Sequence, residues 1–158
     1  MRRPAVGRSQ HLIDVENLYG EHHEALYEPE FGELYTAVVG RGPNDLITVG
    51  ADRSHALDAA LAFPGCRRVV GSGPNGADLA LIDSIDWPSL RRGCDRLVIA
   101  SGDGAFVEVA EIGRRHGLGI VVVSREKGLS RRLRAQADEV IEFPEFDPAC
   151  LFAFTHAA

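Results

Sequence analysis

Six short aliphatic runs, each separated from the next by a dozen or more residues, constrain the fold of this chain most strongly. Four of them are nearly continuous in aliphatic side chains, which is typical of strands that are buried on both faces of a sheet. The intervening segments carry helical apolar periodicity and are long enough for crossover connections between parallel strands. The six runs lie at residues 11–15, 45–49, 67–71, 95–100, 119–123 and 139–143.

This alternation predicts a three-layer α/β/α Rossmann-like domain with a mainly parallel sheet of five to six strands. We assign the domain to residues 10–146 and treat residues 1–9 and 147–158 as short terminal extensions. Ser54 is predicted to cap the helix that follows the second strand. Trp87 and Pro88 are predicted to end the helix that covers residues 77–85.

Composition excludes several classes of protein. The chain has 158 residues, 23 acidic and 17 basic, for a net charge of −6, which argues against a wholly basic nucleic-acid coat protein. The three cysteines show no metal-binding spacing, which favours free thiols in a reducing compartment. Since the apolar runs are too short to span a bilayer, we expect a cytoplasmic protein without a membrane segment.

Carboxylates follow several of the predicted strands. In an open parallel sheet, ligands bind outside the carboxyl ends of the strands, near the point where the strand order reverses. Asp14 interrupts an aliphatic run and Asp103 follows another, and a desolvated carboxylate is costly unless it is paired or bound to a cation. Oxygen ligands without clustered cysteine or histidine indicate Mg²⁺ or Mn²⁺. Asp78, at the start of a predicted helix, fits either this site or a capping role.

Three motifs in this order resemble those of NYN domains, which belong to the PIN-like nuclease superfamily. They are IDVENL at 13–18, NGADLALID at 75–83 and ASGDGAF at 100–106. The final predicted strand, helix and strand also fit the family pattern, so the resemblance covers about residues 10–143. It implies a PIN-like fold and a Mg²⁺- or Mn²⁺-dependent endoribonuclease that hydrolyses phosphodiester bonds of RNA.

The resemblance also assigns residues to roles. It implies that Asp14, Asp78 and Asp103 bind the metal and carry catalysis, with Asn17 supporting Asp14. Asp83 matches an acid five positions after Asp78. Five residues turn a helix by about 140°, so we expect Asp83 to act indirectly or to form a salt bridge.

Further residues are expected to contact the substrate. Ser101 and Ser124 follow strands and are predicted to support the site by binding phosphate oxygens. Arg125, Arg131 and Arg132 lie nearest the predicted active edge and are expected to contact RNA phosphates. The expected partner is single-stranded or structured RNA, and a homodimer is left open.

Two positions depart from the family pattern. Ala105 stands where many members carry a further aspartate, and Asn75 stands where many carry a lysine. Losing a carboxylate lowers the negative charge available to a cation, and Glu16 or Asp52 are the candidates to compensate. The alternative is therefore a weakened or inactive NYN-type module that binds RNA without cleaving it.

A glycine-rich segment and the histidines are also considered as signs of a different site. The segment GSGPNG at 71–76 matches a dinucleotide-binding motif, which keeps a nucleotide-binding or phosphatase-like enzyme as a third hypothesis. Against it, the motif follows the third strand rather than the first. His22 and His23 lie beside acidic residues, but adjacent residues do not share a helix face, so a solvated segment is the better interpretation. His11, His55 and His116 occur singly and indicate no metal site.

Overall fold

The predicted α/β architecture is confirmed by a computed structural model, which describes residues 7–20 and 28–145. Six strands form one sheet in which every neighbouring pair is parallel. The strands are β1 (Ser9–Asp14), β2 (Leu46–Asp52), β3 (Arg67–Gly71), β4 (Arg96–Ala100), β5 (Gly119–Ser124) and β6 (Glu139–Glu142).

Strand order places the switch point of the sheet beside β1. The order is β3-β2-β1-β4-β5-β6, so the chain builds outward on one side of β1 and then returns to its other side. Ile13 is in register with Ala100 of β4, and Asp14 with Gly50 of β2. The carboxyl ends of β1 and β4 therefore flank one crevice, which is where open α/β sheets bind ligands.

Helices cover both faces of the sheet because residues along each central strand alternate between two apolar clusters. In β1, Ile13 joins the cluster beneath the helices within residues 15–62, and Leu12 joins the cluster beneath the helices within residues 76–136. The helices are α1 (Val15–Tyr19), α2 (Glu28–Val39), α3 (Ala56–Ala62), α4 (Gly76–Asp83), α5 (Trp87–Gly93), α6 (Val107–Arg115) and α7 (Arg131–Gln136).

Two local predictions are wrong. Asp52, rather than Ser54, caps the turn after β2: its carboxylate accepts hydrogen bonds from the N–H and hydroxyl of Ser54. Trp87 and Pro88 begin a helix instead of ending one, since Asp86 caps α5 by accepting from the Ser89 N–H. Proline suits the first turn of a helix because its missing N–H is not needed there.

Some sequence predictions lie outside the described residues. These are the histidine pair at 22–23 and the terminal extensions, apart from residues 7–9. Within the described ranges, no helix is long and apolar enough to cross a membrane.

Candidate active site

Asp14 is the last residue of β1 and lies at the switch point. Its side chain is buried, with the residue only 4% exposed. The Ser101 hydroxyl donates to Asp14 Oδ2 at 3.2 Å, and the Asn17 N–H donates to Oδ1 at 3.4 Å. The strand that carries Asp14 is thus joined through side chains to the loop that follows β4.

Asp78 and Asp103 lie at the same edge of the sheet as Asp14, on two other connections. Asp78 lies in the first turn of α4 and is 6% exposed, and its carboxyl group makes hydrogen-bond contacts with both Asp14 and Asp103. Asp103 is half-buried, and its Oδ1 accepts from the Ala105 N–H at 2.8 Å. The structure therefore brings the three predicted acids together.

Glycine allows α4 to lie close enough for this contact. A Cβ atom on Gly71 would overlap the backbone of Gly76, and one on Gly50 would overlap the Leu81 side chain. The first contact tightens the turn between β3 and α4, and the second lets α4 lie directly on β2. Asp78 reaches Asp14 because both positions lack a side chain.

The electrostatics of the acidic pair follow from its burial. Burial, followed by the hydrogen bond and charge of Asp78, raises the pKa of Asp14 to about 9. Burial also raises the pKa of Asp78, and the nearby charge of Asp103 raises it further, whereas the hydrogen bond with Asp14 lowers it. Two carboxyl groups can hydrogen-bond to each other only through a proton, so the contact between Asp14 and Asp78 requires one of them to be protonated.

Asn17 and Gly102 join the loops that carry the acids. The Gly102 N–H donates to Asn17 Oδ1 at 2.9 Å, and the Gly102 carbonyl accepts from the Ser130 N–H at 2.8 Å. A Cβ atom on Gly102 would overlap the Gly128 carbonyl oxygen and the Ser124 hydroxyl. The loop after β4 is therefore packed tightly between the ends of β1 and β5.

A cavity of about 410 Å³ opens beside the acids. Its lining includes Asp14, Asp78, Glu16, Asp52, Asn75 and Arg125. The Arg125 side chain is 16% exposed and is anchored, because its Nε donates to the Asn17 carbonyl at 3.0 Å and its Nη1 pairs with Glu145 at 3.4 Å. One wall of the cavity is thus acidic, and a fixed guanidinium group lies at its rim.

The donor set fits a hard divalent cation. Two buried carboxyl groups in contact cannot both ionise without a compensating positive charge, and a bound cation would supply that charge in place of the shared proton. Within the described ranges, no three or more His, Cys, Asp or Glu side chains already surround a common point at ligand spacing. The acids instead form a chain, Asp14 to Asp78 to Asp103, joined by hydrogen bonds.

The two predicted serines are placed differently from our expectation. Ser101 is fully buried and donates to Asp14, while Ser124 is 2% exposed and its hydroxyl donates to the Arg125 carbonyl at 2.9 Å. Neither hydroxyl faces the cavity, so the expected phosphate contacts are not available to them. Both serines instead hydrogen-bond within the protein, and they hold the loops around the acids.

The remaining predicted residues lie outside the cavity. Asp83 is exposed at the far end of α4 and forms no ion pair with any residue in the described ranges, so neither expected role is found. Arg131 and Arg132 are exposed in the first turn of α7, which begins beside Gly102. Of the three predicted arginines, Arg125 alone lines the cavity.

Sequence reasoning missed the partners of the single histidines. His55 Nδ1 lies 3.3 Å from Glu16 Oε1, and the Asp52 N–H donates to the same oxygen at 2.6 Å. His11 lies between Tyr35 and Asp45, and His116 stacks on Trp87. No local spacing could reveal these pairs, since each joins residues that are far apart in the sequence.

The glycine-rich segment is a tight turn at one side of the cavity. It follows β3, which is an edge strand, whereas dinucleotides bind at the central switch point of such sheets. Asn75 adopts the left-handed conformation, with φ of 59°. The location of this segment at an edge strand favours a simple turn over a nucleotide-binding site.

Comparisons with known proteins bear on the family and the fold. The family model of the NYN domain matches residues 9–145. The crystal structure of a protein of unknown function from Vibrio parahaemolyticus is similar over 87% of this chain and 93% of that one, with 20% identity and a TM-score of 0.62. At that identity the likeness shows the fold alone. No curated protein matches the sequence.

Proposed function

Because the chain belongs to the NYN domain family of the PIN-like superfamily, we propose that it is a divalent-metal-dependent ribonuclease. Members of this family are generally metal-dependent and generally bind RNA. The observation that carries the proposal is the buried contact of Asp14 with Asp78, and of Asp78 with Asp103, at the switch point of the sheet. We also propose that residues 10–146 form its single domain.

The three acids hold Mg²⁺ or Mn²⁺ in this proposal, each from a different connection of the sheet. A bound ion of this kind supplies an acidified water and stabilises the negative charge that develops on the scissile phosphate. Asp14 would have to be deprotonated to hold such an ion. Ser101, by donating to Asp14 Oδ2, directs the other carboxylate oxygen toward Asn17 and the cavity.

Arg125 binds the RNA backbone. Arg125 lines the cavity and its guanidinium is held by Asn17 and Glu145, so little side-chain freedom is lost when it meets a phosphate. Arg131 and Arg132 extend the positive surface along the start of α7. These arginines offset the acidic wall of the cavity for a polyanionic substrate.

Cleavage of a labelled single-stranded RNA by the purified protein tests the proposal. We expect cleavage with Mn²⁺ or Mg²⁺ and none with EDTA. The Asp14→Asn and Asp103→Asn variants should lose at least about 100-fold in rate, as expected for groups that hold the metal. Asp83→Asn is the matched control, because Asp83 is exposed and away from the cavity, and it should retain wild-type activity.

A non-catalytic RNA-binding module is the second candidate, and Ala105 is the observation that favours it. Its position in the turn after Asp103 offers no carboxylate. RNA binding with no cleavage at any Mn²⁺ concentration would support this candidate. Undiminished cleavage by both Asp14→Asn and Asp103→Asn would contradict the assignment of the site.

A further inference from the structure

One carboxylate oxygen of Glu16 has no hydrogen-bond partner among the described residues. The side chain lies in α1, two residues after Asp14, and lines the same cavity as Asp14 and Asp78. One oxygen, Oε1, accepts from the Asp52 N–H at 2.6 Å and lies 3.3 Å from His55 Nδ1. The other, Oε2, is buried and accepts no hydrogen bond from any residue in the described ranges.

A carboxylate oxygen in this position needs a cation, a proton or a water molecule as its partner. A buried polar oxygen without a partner costs free energy comparable to a lost hydrogen bond, and more when the group is charged. The nearest cationic side chain of the cavity, Arg125, is held by the Asn17 carbonyl and Glu145. The carboxylate is meanwhile held in place through Oε1, so Oε2 is pre-oriented.

We propose that Glu16 is a further cation-binding residue of the site, and that its Oε2 is the oxygen it offers to the ion. This inference rests on the proposed function. Glu16 thereby supplies the negative charge that Ala105 does not, from the end of β1 instead of the turn after β4. His55 and the Asp52 N–H act as positioning groups that hold Glu16 through its other oxygen.

Titration of Mn²⁺ into the full chain by calorimetry, without RNA, tests this inference. Glu16→Gln keeps an oxygen that can accept from Asp52 and removes the charge, and we expect it to weaken Mn²⁺ binding by about 10- to 100-fold. Asp52→Asn removes one charge from the same cavity. The Asp52 carboxylate is exposed and already accepts two hydrogen bonds from Ser54. Asp52→Asn should therefore weaken Mn²⁺ binding by less than about fivefold.

A second variant keeps the inference falsifiable if Glu16→Gln does not fold. Glu16→Asp retains the charge and shortens the side chain by one methylene, so Mn²⁺ binding should still weaken if Oε2 is a ligand. Wild-type affinity in Glu16→Asp, or in a folded Glu16→Gln, would overturn the inference. If Asp14→Asn nevertheless abolishes Mn²⁺ binding, that result would leave the proposed function unaffected. Absence of Mn²⁺ binding by the wild-type chain would overturn both.

Discussion

The side chain of Asn17 accepts a hydrogen bond from the backbone N–H of Gly102, 85 residues further along the chain, at 2.9 Å. This bond joins the first turn after β1 to the loop after β4. Asp14 and Asp103 lie on these two segments, so the separation between them depends on a contact that carries no charge. The site is therefore held together by its loops as well as by its carboxylates.

Replacement of Asn17 by alanine should separate the two loops. It leaves the Gly102 N–H without its acceptor, which costs about 1–3 kcal/mol for a buried donor. We expect a lower free energy of unfolding in urea and weaker Mn²⁺ binding. Asn44→Ala, which truncates an exposed asparagine side chain away from the site, is the control. Equal loss of stability in both variants would contradict the role of this hydrogen bond.

The raised pKa of Asp14 makes stability depend on pH when divalent cations are removed. Folded Asp14 keeps its proton to a pKa of about 9, whereas the unfolded chain releases it near the ordinary value of 3.8. This residue's contribution to stability is therefore lost as pH rises from about 4 through 9. With EDTA, the Tm of Asp14→Asn should exceed that of the wild type by an amount that grows between pH 6 and 8.5.

Saturating Mg²⁺ provides the control for that measurement. The ion takes the place of the proton, so it should raise the wild-type Tm most at high pH and leave the Tm of Asp14→Asn nearly unchanged. A Tm difference that is independent of pH would show that Asp14 is already ionised in the folded protein.

Gly102 should tolerate no side chain. Because a Cβ there would overlap Gly128 and Ser124, Gly102→Ala should lower the free energy of unfolding by about 1–3 kcal/mol and displace Asp103. Gly104→Ala is a matched control two residues away, where the nearest atom to an added Cβ is the Ser130 hydroxyl at 3.5 Å. Urea unfolding should show little change for Gly104→Ala, and similar losses in both variants would refute the packing argument.

Arg125 should govern how RNA affinity depends on salt. Each phosphate contact adds about one to the slope of log affinity against log salt. Arg125→Gln should therefore weaken RNA binding and reduce this slope by about 0.7 for a single strand. Arg115→Gln is the control, since Arg115 is exposed at the opposite end of the sheet. An unchanged slope in Arg125→Gln would exclude Arg125 from phosphate contact.

His11 should lower stability at mildly acidic pH. It is 1% exposed, and its ring nitrogens lie 2.8 Å from the Tyr35 hydroxyl and 2.9 Å from Asp45 Oδ2. Burial lowers the pKa of His11 although Asp45 raises it. Below about pH 6.5 the unfolded chain binds a proton that folded His11 does not, so stability falls toward pH 5 by at most about 1.4 kcal/mol per pH unit. In His11→Gln, urea midpoints measured at pH 7 and pH 5 should differ less than in the wild type.

The sequence alone determined the architecture, and it singled out three acids as candidate site residues. Aliphatic runs at crossover spacing are sufficient for a parallel sheet, since burial on both faces leaves few other arrangements. Asp14 and Asp103 were recognisable because a carboxylate that ends a buried strand requires a partner. Because ligands of open parallel sheets bind at the carboxyl ends of the strands, a site was expected at that edge.

Only the tertiary structure decided how these residues are used. The Asn17–Gly102 bond, the Glu16–His55 pair and the anchoring of Arg125 join residues separated by up to 108 positions. Local pattern carries no information about such contacts, because they depend on how strand order brings distant loops together. For the same reason, Ser101 and Ser124 were misassigned to phosphate and Asp83 to an indirect role: whether a polar side chain faces a cavity, a neighbouring loop or solvent is settled by packing.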